Sequence, residues 1–119
     1  MMPDETFSKK ERLIKTRDFR KVYQSGHSFK AGFIILKVLP NTTLTNRVGF
    51  SISARSIKRA FRRNRIKRLF REAYRKNKKA LKRGFDIVFV VRRDMQSGFS
   101  YKEAEEVLLR LSKQAGILL

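Results

Sequence analysis

The run from Phe85 to Arg92, FDIVFVVR, is apolar at nearly every position. A segment this short and this rich in β-branched and aromatic residues reads as a strand. Strand side chains alternate between two faces, so an almost continuous apolar strand has to be covered on both. Other segments supply the rest of a sheet. Arg47 to Ser53, RVGFSIS, alternates strictly: Val48, Phe50 and Ile52 point to a core, and Gly49, Ser51 and Ser53 form a small, polar opposite face. Phe33 to Leu39, FIILKVL, is β-rich and ends at Pro40, and the NTTLTN segment after it is a turn.

Three segments carry helical spacing. Phe19, Val22 and Tyr23 fall at i, i+3, i+4, with Thr16 as the expected cap, Asp18 in the first turn and Gly26 as the stop. Ile66, Leu69, Phe70, Ala73, Ala80 and Leu81 share one stripe of a long helix that ends at Gly84, and Asn64, Arg68, Arg71 and Arg75 lie opposite. Ser100 and Glu103 form a capping-box pattern ahead of Ala104, Val107, Leu108 and Leu111, and Gly116 closes that helix. The order is α-β-β-α-β-α, with a third short strand accommodated in the Phe29–Val38 region. One sheet with helices packed on it places the chain in the α+β class. With no repeat and no linker-like stretch, residues 1–119 read as a single domain, with 1–12 a flexible basic arm.

Charge narrows the function. There are 30 Lys and Arg against 10 Asp and Glu, a formal net charge of +20. Self-repulsion on that scale gives a compact domain no stability. A polyanionic partner accounts for it, because basic side chains that neutralise phosphates release condensed counterions. Residues 55–83 hold 15 of the 30 basic residues and a single acid, Glu72. A solvated helix normally mixes signs at i,i+4, and like charges at that spacing cost a few tenths of a kcal/mol each. A nucleic acid reverses that cost. Arginine dominates the first half of the segment, and its planar fork suits bidentate phosphate contacts. Asn64, set among these arginines, has an amide able to hold a chain turn or to bond RNA.

The absence of cysteine excludes disulfides and thiolate chemistry and fits a reducing, cytoplasmic setting. The polar N-terminal run MMPDETFSKKERL predicts no signal peptide, and no stretch approaches the ~20 apolar residues of a membrane span.

Four blocks of the chain resemble, in order, the protein subunit of bacterial ribonuclease P. They are Arg17-Asp18-Phe19-Arg20-Lys21-Val22-Tyr23-Gln24-Ser25-Gly26, Arg47 to Ser53, Gly84-Phe85-Asp86-Ile87-Val88, and the run Arg62-Arg63-Asn64-Arg65-Ile66-Lys67-Arg68-Leu69-Phe70-Arg71-Glu72, which is similar to the family's RNR signature. The chain departs from the family pattern in two places. Ala54 to Arg59 lacks the glycine often found before the signature, and Phe61 stands where a smaller apolar residue is usual.

The resemblance implies a four-stranded sheet with three helices, α-β-β-β-α-β-α, a left-handed βαβ crossover, and a ribosomal protein S5 domain 2-like fold. It implies a partnership with a catalytic RNA that, with bound Mg²⁺, removes the 5′ leader from precursor tRNA. On that reading Arg62, Arg63, Asn64, Arg65, Lys67, Arg68 and Arg71 contact the RNA subunit. Phe19 and Tyr23 match an aromatic pair beside a cleft for the single-stranded leader, where stacking is worth ~1–3 kcal/mol per base. Their i,i+4 spacing fits core packing equally well. Tyr23 is the better cleft residue, because its hydroxyl favours a wet edge. Lys37, Ser51 and Ser53 are the sheet residues expected to line the groove.

Nothing in the sequence reads as a protein catalyst. The acids are scattered (Asp4, Glu5, Glu11, Asp18, Glu72, Asp86, Asp94, Glu103, Glu105 and Glu106), and the single His27 sits in an expected turn. No spacing suits metal ligands or a general base. The expectation is therefore a subunit with no catalytic and no metal-binding residues of its own, its Mg²⁺ held by the RNA. The competing readings are a structural ribosomal protein and a DNA-binding protein that lays its basic helix in a major groove.

Overall fold

The computed structural model describes residues 7–94 and 99–119. Helix α1 (Thr16–Ser25) leads into strands β1 (His27–Ala31), β2 (Ile34–Pro40) and β3 (Arg47–Ser51). Helix α2 (Ala60–Asn77), strand β4 (Phe85–Val91) and helix α3 (Tyr101–Gln114) follow. The four strands form one mixed sheet in the order β1-β2-β4-β3. β1, β2 and β4 pair antiparallel, and β3 runs parallel to β4, joined to it through α2. The expected three helices and four strands are all present, and the extra strand is β1, paired to β2 through a turn at Gly32 and Phe33.

β4 is an interior strand, and both its faces are covered. Ile87, Phe89 and Val91 join Ile34, Leu36, Val38 and Val48 in the larger core, beneath α2 and α3. Phe89 stacks between Phe50 at 5.8 Å and Phe70 at 5.5 Å. On the other face, Val88 packs with Leu13 and with Val22 of α1 in a smaller core. The apolar run that began the sequence argument is thus filled from two sides by helices of different size. The smaller helix covers only part of its face.

Several expected boundaries move. Thr16 is the first residue of α1; extended Lys15 is the cap residue, and no side chain closes it. The helix expected to run to Gly84 stops at Asn77, followed by a 3₁₀ turn over Lys78–Ala80. There the Asn77 amide donates to the Ala73 carbonyl at 2.8 Å and to Glu105 of α3 at 2.8 Å, satisfying a terminal carbonyl and ending the helix against its neighbour. β3 stops at Ser51, although Ile52 keeps the alternation and is buried. Exposed His27 opens β1 instead of sitting in a turn.

The expected flexible arm needs correction over residues 7–12. Phe7 is buried edge-on against Tyr74, with ring centres 5.6 Å apart. Arg12 bridges Val48, and the Leu13 amide donates to the Val48 carbonyl at 2.9 Å. This segment therefore covers the outer edge of β3, which would otherwise present unpaired backbone groups. Residues 1–6, with Asp4 and Glu5, lie outside the described residues.

Candidate nucleic-acid interface

Register defines the sheet face on which α1 lies. Ser28 pairs with Lys37, Lys37 with Val88, and Val88 with Gly49, so these four residues form one row across the sheet. The next row is Lys30, Ile35, Val90 and Ser51. α1 seats on the first row, where Val22 covers Val88 and the Phe19 ring covers Gly49. A Cβ at Gly49 would stand 2.4 Å from Phe19 Cζ, so only glycine admits the ring there. The second row stays partly open, and a groove results, with α1 as one wall and Ile35, Val90 and Ser51 as its floor.

An ionic network sets the position of that wall. Arg47 Nε donates to Asp86 Oδ1 at 2.9 Å and its Nη2 to Oδ2 at 2.6 Å, while Nη1 reaches Asp18 of α1 at 3.4 Å. Asp86 is buried and also accepts from the Asn41 amide at 3.0 Å. The hydrogen bond to Asp86 holds the Arg47 guanidinium above its ordinary range. A bidentate pair of this kind fixes both distance and angle, and so ties the first turn of α1 to β3.

Exposure separates the two aromatic candidates. Tyr23 is 40% exposed, and Lys37 Nζ lies 5.4 Å from the centre of its ring. Lys37 also donates to Ser28 Oγ at 3.0 Å, which holds the ammonium at the groove edge. Phe19 is half-buried with the small core. Tyr23, Lys37 and Ser51 are therefore brought together at the groove, and Phe19 closes its base. Ser53 does not join them. It lies past the end of β3, and its hydroxyl bonds the Ser56 hydroxyl and backbone amide, both at 3.0 Å.

That turn answers the missing glycine. The Ser56 and Ile57 amides donate to the Ser53 carbonyl, and among the described residues no non-glycine residue has positive φ. A serine-closed turn does the work without left-handed backbone. Arg63 completes it, donating from Nη1 to the Ile57 carbonyl at 2.7 Å and to the Lys58 carbonyl at 2.9 Å. Arg62 pairs with Asp94 at 2.5 Å, and the guanidinium is raised by that hydrogen bond. Asn64, Arg65 and Arg68 are exposed and, among the described residues, make no side-chain hydrogen bond or ion pair. Lys67 is half-buried, and Arg71 extends over the Phe7 ring at 5.9 Å. The exposed Phe61 meets solvent, so its extra size displaces nothing in the core.

Sequence reasoning missed the Arg47–Asp86–Asp18 network, the floor residue Val90, and the packing of Phe7. Strict alternation on β3 was a usable signal for Arg47, since it puts that residue on the same side as Gly49. Among the described residues no group of three or more His, Asp or Glu could hold a metal ion.

The family model described as Ribonuclease P matches residues 7–116. The chain belongs to the ribonuclease P protein family. It is 40% identical over 107 residues to the Ribonuclease P protein component of Alkaliphilus oremlandii, covering 90% of this chain and 92% of the relative. It is 41% identical over 105 residues to that of Pelotomaculum thermopropionicum, covering 88% and 92%. The solved RNase P protein of Thermotoga maritima superposes with a TM-score of 0.78 at 31% identity, covering 87% of this chain and 96% of that one. The Staphylococcus aureus RNase P protein gives 0.79 at 26%, covering 92% and 98%. The ribonuclease P resemblance noted in the four sequence blocks therefore extends to the whole fold.

Proposed function

We propose that the chain acts as the protein component of a cytoplasmic ribonuclease P ribonucleoprotein, a single RNA-binding domain that binds two RNAs at once. The exposed face of α2, with Asn64, Arg65, Arg68 and Arg71 outward, docks the catalytic RNA. Arg63 acts behind it, holding the preceding loop in shape, and Arg62 pairs with Asp94 beyond β4. The groove between α1 and the sheet takes the single-stranded 5′ leader of precursor tRNA, with Tyr23 as a stacking surface and Lys37 beside it. The observation that carries this reading is the Tyr23–Lys37 pair at the mouth of a partly open, part-apolar sheet face in a member of this family. An aromatic face beside a cation suits an unstacked base and its neighbouring phosphate.

The protein supplies binding and positioning in this scheme, and hydrolysis belongs to the RNA and the Mg²⁺ that it holds. Only the precursor carries a leader, so leader binding raises affinity for precursor over mature tRNA. The protein's positive charge also reduces repulsion between the two RNAs and so lowers the Mg²⁺ requirement. The test is reconstitution with a bacterial ribonuclease P RNA at low Mg²⁺, assayed for 5′ cleavage of precursor tRNA. Strong stimulation is expected; no stimulation would overturn the proposal. In the same assay Tyr23→Ala is expected to weaken precursor binding by about tenfold and to leave mature tRNA unchanged. Equal loss for both would return Tyr23 to a packing role.

A further inference from the structure

The groove floor continues beyond the residues already described. Phe33 precedes Ile34, whose side chain is in the larger core, so alternation puts Phe33 on the groove side with Ile35 and Lys37. Its carbonyl accepts from the Arg92 amide at 2.9 Å, which extends the β2–β4 ladder by one more row. Phe33 is 41% exposed, and Arg93 Cζ lies 4.7 Å from the centre of its ring. Lys30, Arg92 and Arg93 surround the ring in one open concavity, and among the described residues no acid lines it.

An exposed aromatic gains nothing from water, and three cations gathered at a hairpin tip repel one another. Both costs are reversed by one kind of occupant, a base with its phosphates. Arg93 backs the Phe33 ring, and enough of the ring remains exposed for a base to lie on it. We infer that Phe33, backed by Arg93 and flanked by Lys30 and Arg92, forms a second base-stacking station for the single-stranded leader, at the end of the groove remote from Tyr23. This rests on the leader-groove reading above and extends it. Phe33, just ahead of β2, and Lys37 within it are four residues apart, about 13 Å at ordinary strand rise. A strand stacked at ~3.4 Å per nucleotide places up to about four nucleotides between the stations.

The spacing makes the proposal testable with the assembled holoenzyme. Precursor tRNAs with leaders shortened one nucleotide at a time are titrated against wild type, Phe33→Ala and Tyr23→Ala. Phe33→Ala is expected to weaken binding of the long-leader precursor about tenfold. Its penalty should vanish at a leader length that differs from the Tyr23→Ala threshold by up to about four nucleotides. Phe33→Leu should resemble Phe33→Ala, and Phe33→Trp should resemble wild type, because stacking needs a ring and not merely apolar area. The station is overturned if Phe33→Ala has the same effect, or none, at every leader length while the Tyr23→Ala penalty still depends on length. It is also overturned if Phe33→Leu binds like wild type. If neither penalty depends on leader length, the groove reading falls first and the station falls with it.

Discussion

Single residues of the same type do different work here, and burial and partners decide which. Arg47, Arg63 and Arg68 are all arginines in a strongly basic chain. Arg47 is committed to Asp86 and Asp18, Arg63 to two loop carbonyls, and Arg68 is exposed with no side-chain partner among the described residues. Asp86 shows what such commitment is worth. Its side chain is 5% exposed and that of Arg47 33%. Removing one partner of a fully buried pair costs ~3–5 kcal/mol, and the part-exposed guanidinium recovers some hydration. Asp86→Ala is therefore expected to cost about 2–3 kcal/mol, with a fall of roughly 10 °C in Tm. Urea or thermal unfolding checks this, and a change below ~0.5 kcal/mol would mean that the network does not anchor α1.

At the scale of elements, the groove exists because α1 is short and seated by one glycine. Gly49 lets the end of the Phe19 ring come close to β3, and the helix then covers one row of the sheet and leaves the next partly open. A methyl group at position 49 would also stand 3.2 Å from Leu13 Cβ, so the ring has little room to yield sideways. Gly49→Ala is expected to cost about 1–3 kcal/mol through overpacking. Most of that cost should disappear in a Phe19→Leu background, where the ring is gone. A double-mutant cycle read by urea unfolding gives the coupling directly; additive losses would mean that Gly49 is needed for something other than the ring. The same local reasoning makes the loop before α2 independent of glycine, because Ser53 and Arg63 together provide its turn and its clamp.

At the scale of the molecule, the net charge of +20 makes every RNA contact salt-dependent. The structure separates exposed cations with no side-chain partner among the described residues from cations that hold the fold. Arg68→Ala is expected to reduce the slope of log affinity for the catalytic RNA against log salt by about 1. Arg63→Ala is expected to keep that slope and lower stability instead. Equal changes in slope for the two variants would contradict the division. Much of the architecture was legible beforehand. A continuous apolar strand, a strictly alternating strand and three helical stripes are local periodicities, and each reports which way a side chain points on its own element. The concentration of basic residues over 55–83 likewise pointed to a polyanion without any fold. Periodicity cannot say which neighbour arrives to meet a side chain. It could not assign Asp94 to Arg62 or Asp86 to Arg47 across more than 30 residues of chain. Nor could it rank Phe19 against Tyr23, which share one helical face. Helix docking packs one ring on Gly49 and leaves the other exposed at the groove beside Lys37, so which ring packs and which stays open is decided by tertiary contact alone.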